Sequence, residues 1–206
     1  MPESLKASEV NSRTDASVAK QWDRSTPKSE QISDLYGIVD KLQTCILSTT
    51  RPDVGPVGRS MAIAKRVGPD FLFIANKHSQ KFTDLEQDKT VLLTFQDSST
   101  QNWVSVTGKA VATGNDDPRI KELYNPTLSA WFGDLGDGTH TGKPDDPRMA
   151  IIEVRTDYIA YWKSTSTAIG FVKEVALGAL TGKVADTGLQ RELRKEDIEQ
   201  MRNTTN

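Results

Sequence analysis

The sequence predicts a small antiparallel β barrel with helices attached, in the mainly β or α+β class. Strand-like runs, about seven of them, follow one another between turns rich in Pro and Gly. They do not alternate with helices, so a doubly wound parallel sheet fits poorly. Hydrophobic residues make up 36 % of the 206, with the deficit at the two ends. Residues 1–28 therefore read as a disordered arm, 29–165 as the barrel domain, and 166–206 as a C-terminal helix and charged tail.

The arm consists mainly of Ser, Thr, Lys, Glu, Asp and Gln, with Trp22 its only aromatic. Such a stretch cannot bury enough apolar surface to offset its ordering entropy. Trp22 is its candidate docking point. Ile32, Leu35, Ile38, Val39 and Leu42 then fall on one helical face. Ser29 is placed to N-cap that helix, with Glu30 and Asp34 near its positive end.

Residues 44–49 and 57–65 read as a hairpin around Arg51-Pro52-Asp53-Val54-Gly55-Pro56. After Gly68-Pro69-Asp70, residues 71–75 are a continuously apolar strand, expected to be buried on both faces. Residues 79–88 read as a helix carrying Phe82 and Leu85, and 91–96 as a strand. Residues 103–112 alternate, with Val104, Val106, Gly108 and Ala110 on one face and Trp103, Ser105, Thr107 and Lys109 on the other. Asp116 and Asp117 before Pro118 start a helix that turns Ile120, Leu123 and Tyr124 inward. Leu128, Trp131 and Phe132 suit a helical turn, and 133–147 a loop. Residues 149–155 and 158–163 are the last two strands, joined by a tight turn near Thr156-Asp157. Residues 168–180 are helical. Beyond Gly182 the chain is charged and expected to be loose or peripheral.

Composition excludes several classes. The 26 Lys and Arg nearly cancel the 28 Asp and Glu, which argues against holding nucleic acid or anionic membrane by bulk charge. One cysteine rules out an intramolecular disulfide framework, and two histidines give a Cys/His zinc site little basis. There is no signal-peptide run and no stretch of roughly 18 apolar residues. The final Asn203-Thr204-Thr205-Asn206 is neither a prenylation nor a peroxisomal signal. The expectation is a soluble, cytoplasmic protein.

Chemistry is sparse. Cys45 sits in an apolar strand, where a thiol is inert. No Gly-x-Ser-x-Gly elbow, Gly-x-Gly-x-x-Gly or P-loop motif occurs. Residues 133–139 look superficially like a calcium loop but lack the later ligands, so no metal is expected. No side chain is assigned as a catalytic acid or base. The informative set is Arg59 on the second strand and Ser79-Gln80-Lys81 opening a helix. A helix start with free N–H groups, a hydroxyl and a lysine suits a phosphate, and an arginine on a neighbouring strand can grip it bidentately. The plainer alternative is that Ser79 caps the helix while Arg59 and Lys81 are solvated surface charges.

Over about two thirds of its length the chain resembles the pyridoxamine 5′-phosphate oxidase-like FMN-binding split barrels. Within these it is similar to the general stress protein type and its fungal blue-light-inducible members. The resemblance lies in the leading helix, Thr44-Cys45-Ile46-Leu47-Ser48-Thr49, Gly58-Arg59-Ser60-Met61-Ala62, Phe71-Leu72-Phe73-Ile74-Ala75-Asn76, Ser79-Gln80-Lys81, the run from Trp103 to Ala110, and Tyr161-Trp162. It implies a six- or seven-stranded antiparallel split β-barrel of Greek-key type, forming a homodimer with flavin sites at its interface. It also implies that Arg59 and Lys81 hold the FMN phosphate with Ser79 and Gln80 close by. Ser60 and Met61 would run along the ribityl chain and ring, and Ile74 and Ala75 would set backbone groups against the isoalloxazine edge. Trp103 would contact the flavin, and Trp162 would reach it from the partner subunit. For both tryptophans ordinary packing is the plainer role.

Three departures matter. The oxidases' substrate lysine falls on Ala64, with Lys65 one step later on the other face. The loop that grips the substrate phosphate reads Glu122-Leu123-Tyr124-Asn125-Pro126-Thr127, without arginine. Lys163-Ser164-Thr165-Ser166-Thr167 replaces an arginine-rich tail. The resemblance thus implies a flavin-dependent oxidoreductase of unknown substrate that is not a true pyridoxamine phosphate oxidase. The alternatives are a non-catalytic carrier or sensor of flavin or deazaflavin, and a barrel that has lost its flavin and serves as an interaction module.

Overall fold

The computed structural model of the chain describes residues 7–11, 13–19, 21–166 and 168–204. The expectations for residues 1–6, 12 and 20 of the arm, for Thr167, and for residues 205–206 of the tail lie outside the described residues. The strands are β1 (Thr44–Arg51), β2 (Gly55–Ala62), β3 (Lys65–Val67), β4 (Asp70–Asn76), β5 (Thr90–Asp97), β6 (Asn102–Ala112), β7 (Met149–Ser164) and β8 (Gly188–Leu193). The helices are α1 (Ala16–Ala19), α2 (Lys28–Leu42), α3 (Gln80–Gln87), α4 (Arg119–Leu123), α5 (Ser129–Phe132), α6 (Ala168–Thr181) and α7 (Lys195–Asn203).

All strands join one antiparallel sheet in the order β2-β1-β5-β6-β7-β4-β3, with β8 added beside β7. The mainly β, α+β class is as the sequence predicts. Among the described residues there are eight strands: 57–65 divides into β2 and β3, β8 arises in the segment expected to be loose or peripheral, and the last two expected strands merge.

The last two expected strands are one. β7 runs 16 residues without a turn. At Thr156-Asp157 the chain makes a bulge, where Thr107 faces Tyr158 but Gly108 faces Thr156. A Cβ on Gly108 would overlap the Arg155 carbonyl, so only glycine fits opposite it. Thr156 is pinned there, its N–H donating to Asp70 and its hydroxyl to the Pro69 carbonyl. The bulge also marks a change of neighbour. Residues 149–154 pair with β4, whereas 159–164 pair with β8. One long strand therefore holds two halves of the sheet together.

The main core lies where α2, α3 and α7 cover one sheet face. Leu35, Ile38 and Val39 meet Leu47, Phe73, Leu93, Phe95 and Val106, closed by Ile198 and Met201 of α7. Each such side chain contributes about 1.5–3 kcal/mol through burial. A second core on the other face of β4 and β7 joins Leu72, Ile74, Met149 and Ile151 to Ile120 and Phe132. β4 thus serves both cores, and residues 71–75 are buried throughout, as expected.

Three further expectations are corrected. α2 begins at Lys28 behind Pro27, so Ser29 lies in its first turn and does not cap it. Proline suits that entry because its fixed φ costs the helix nothing. The charged tail is not loose. β8 pairs with β7, α7 buries Ile198 and Met201, and Arg202 bonds Asp70 and Thr156. Within the arm expected to be loose, residues 21–26 are held. Trp22 bridges Gln190, and Asp23 pairs with buried Arg191.

Candidate functional site

Strand alternation sorts the predicted site residues. Cys45, Leu47, Thr49 and Arg51 of β1 share the core-facing side with Arg59 and Met61 of β2, since Leu47 pairs with Arg59 and Cys45 with Met61. Burial pushes the Cys45 thiol up to about 12, as its apolar setting predicts.

Arg59 lies along β1. Its Nη1 donates to Thr49 Oγ1 at 2.7 Å, and its Nη2 to Asp84 Oδ2 of α3 at 3.2 Å. Thr49 in turn donates to Asp84 Oδ2 at 2.7 Å. Arg51 donates from Nε to Asp84 Oδ1 at 3.2 Å. The Asp84 side chain is 1 % exposed, those of Arg59 and Arg51 22 % and 32 %. An anion arriving from solvent therefore meets the guanidinium groups and not the carboxylate. Burial alone would raise the Asp84 pKa, but hydrogen bonds from Arg51, Thr49 and Gln80 outweigh it and hold it at about 2.

α3 completes the cluster. Ser79 occupies its N-cap position, yet its hydroxyl does not cap. It donates to the Asn76 carbonyl at 2.6 Å and accepts from Lys81 Nζ at 2.7 Å. Lys81 is half-buried, and among the described residues no carboxylate pairs with it. Burial first, and the Arg59 charge second, lower its pKa. The structure thus gathers Arg59, Ser79 and Lys81 into one cluster. Three cations face one carboxylate, leaving two positive charges at a helix start. Gln80 also reaches Asp84.

The remaining predicted residues divide. Ser60 faces the opposite side of β2 from Arg59 and is exposed. Ile74 and Ala75 are buried, their side chains spent on the two cores. Their backbone lies on an edge of β4 that β3 leaves uncovered, since β3 pairs only with residues 70–72. Trp103 and Trp162 stand directly opposite each other on β6 and β7. They occupy the outer sheet face, and β1 and β5 lie between them and β2. Gly188 leaves room for Trp162, because a Cβ there would sit 2.5 Å from the indole. One chain therefore does not bring either tryptophan to the cluster around Arg59.

The sequence reading missed Thr49, Arg51 and Asp84. The first two carried a signal, the two-residue period from Leu47 along β1. Asp84 lies three residues after Lys81, which puts both on one helix face, but nothing local says that β1 packs there.

Comparisons with known proteins follow the same lines. Residues 30–186 match the model of the family described as pyridoxamine 5′-phosphate oxidase like. Protein bli-3 of Neurospora crassa is 36 % identical over 186 residues, covering 88 % of each chain. A protein related to general stress protein 26 from Clostridium acetobutylicum superposes with a TM-score of 0.59 at 13 % identity, over 84 % of this chain and 99 % of that one. A pyridoxamine 5′-phosphate oxidase-related, FMN-binding protein from Nostoc punctiforme superposes with a TM-score of 0.52 at 13 % identity, over 68 % and 87 %. At such identities the structures speak for the split-barrel fold alone.

Proposed function

The chain belongs to the pyridoxamine 5′-phosphate oxidase-like family, and from that premise we propose that it is an FMN-binding flavoprotein of the general stress protein type, acting as a flavin-dependent oxidoreductase. One observation carries the reading. Lys81 is half-buried beside Arg59 at the start of α3, and among the described residues no carboxylate pairs with it. A phosphate monoester placed there relieves the repulsion between the two cations and accepts their hydrogen bonds. FMN, when bound, supplies the electron-accepting chemistry. The chain's part is to hold and orient it: Arg59, Ser79, Gln80 and Lys81 at the phosphate, Met61 alongside, and the open β4 backbone at Ile74 and Ala75 toward the ring.

Trp103 and Trp162 enter the site only from a second copy, so the active form is a homodimer joined through the outer sheet face. That face also exposes Ile46 at 43 % and Leu92 at 37 %, the kind of apolar surface an interface covers. The substrate is not pyridoxamine phosphate. Lys65 is tied to Glu122 at 2.8 Å, so the segment expected to grip a substrate phosphate presents a carboxylate.

The test is an absorbance spectrum of the purified chain followed by titration with FMN and riboflavin. Saturable binding with FMN clearly preferred is the expected result; equal affinities would remove the phosphate from the site. Reduction of the bound flavin by a nicotinamide donor would then separate an oxidoreductase from a carrier, and sedimentation would give the oligomeric state.

A further inference from the structure

A carboxylate beneath an anion site opposes the anion, so Asp84 needs a reason to be there. It is fully enclosed, and both of its oxygens are engaged. Oδ2 accepts from Thr49 and Arg59, and Oδ1 accepts from Arg51. Two consequences follow. Arg59 would otherwise carry the large rotamer freedom of a long side chain. Anchoring one edge of its guanidinium through Nη2 removes that freedom before the ligand arrives, which is how preorganisation raises affinity. Arg51 lies on the other side of the same carboxylate and restores the positive charge that Asp84 takes away. Without Arg51 the cluster would hold one net positive charge instead of two, and a phosphate monoester near neutral pH carries close to two negative charges.

We propose that Asp84 and Arg51 are positioning residues for phosphate recognition, with Asp84 locking Arg59 in its binding orientation and Arg51 neutralising Asp84 so that the site keeps the charge of a phosphate dianion's counterpart. The inference rests on the reading that this cluster holds the FMN phosphate, and it adds two residues that do not themselves need to touch the ligand.

The experiment titrates FMN and riboflavin into the full chain as wild type, Asp84→Asn, Asp84→Glu and Arg51→Gln, with the thermal midpoint of each recorded. The ratio of the two affinities is the readout, because a merely structural role would weaken both ligands together. Asp84→Asn should cut the preference for FMN by about tenfold, the scale of one charge-assisted hydrogen bond. Its amide turns an N–H₂ toward a guanidinium that an oxygen used to hold. Asp84→Glu should recover part of the preference, and riboflavin affinity should stay level throughout. Arg51→Gln, at a partly exposed position, should lower the preference about three- to tenfold. If Asp84→Asn fails to fold, Arg51→Gln decides. A wild type that does not distinguish FMN from riboflavin sinks the phosphate reading, and this inference with it. A wild type that distinguishes them, with Arg51→Gln and Asp84→Asn doing so equally well, overturns the inference alone. A parallel loss of both ligands that tracks the thermal midpoint does the same.

Discussion

Two buried charge clusters in this chain differ in one respect, their balance. Around Arg191, which is 4 % exposed, Asp23 and Asp34 both accept from the guanidinium, Tyr161 lies alongside, and Lys163 adds a second cation on Asp34. Two positive and two negative groups close the set. The cluster between β1, β2 and α3 has Arg51 and Arg59 on one carboxylate, with Lys81 leaning on a serine as a third cation. Both sites pay desolvation for their charges. Only the first is completed by the chain itself. A buried cluster that balances internally fixes the fold, and one left with excess charge at a solvent-reachable rim is completed by a ligand.

The largest effect should come from breaking the balanced set. Arg191→Ala leaves Asp23 and Asp34 facing each other without their shared cation, and should cost about 3–5 kcal/mol of stability. Urea unfolding measures it. A loss under about 1 kcal/mol would mean the cluster is solvated in solution. Breaking the unbalanced set should act on binding instead. Arg59→Ala should weaken FMN by about 1.5–3 kcal/mol, read by titration, and change riboflavin affinity little. An unchanged FMN affinity would remove Arg59 from the site.

The smallest effects lie in the pH dependence, where the two sets differ in what their charges do near neutrality. Burial pushes the Asp23 and Asp34 carboxyls up, but hydrogen bonds from Thr26 and Arg191 to the one, and from Arg191 and Lys163 to the other, bring both below the ordinary value. A carboxyl lowered on folding contributes stability above its unfolded pKa, near 3.9, and loses it as pH falls through the folded value. Stability should therefore drop below about pH 4, and this limb should flatten in Arg191→Ala. Lys81 gives a slope of the same sign in the alkaline range, but its charge costs stability near neutrality where the carboxyl charges add it. Its folded pKa lies below the ordinary 10.5, so the unfolded chain holds that proton more tightly. Its own contribution to ligand-free stability should then rise with pH through the interval ending at that value, against the opposite contribution of Cys45, whose thiol folding raises. The difference in urea midpoint between wild type and Lys81→Met, at about pH 8 and about pH 10, isolates it, and saturating FMN should abolish the change in that difference.

Much of the sheet was legible because its signals are local. The apolar run at 71–75 and the alternation from Trp103 to Ala110 appear in place as β4 and β6. Ser79 and Lys81, two residues apart, needed only a helix start to bring them together. The failures have a common cause. The charged chain beyond Gly182 reads as loose or peripheral, yet its Arg191 and Arg202 find partners in Asp23, Asp34 and Asp70, which lie 168, 157 and 132 positions away. Thr156-Asp157 read as a turn, since nothing nearby shows that Gly108 on another strand lets the chain run straight on.

By itself, then, the sequence determined the antiparallel class, the faces of most strands, and the closeness of Ser79 to Lys81 at one helix start. Period and spacing encode those directly. Only the tertiary structure decided that β7 is shared between β4 and β8, that α7 closes the core, and that Trp103 and Trp162 stand opposite each other on the outer sheet face. It alone placed Asp84 beneath Arg59, 25 positions along the chain. Register and strand order join residues far apart, and their energies depend on which charges end up buried together, which no local pattern carries.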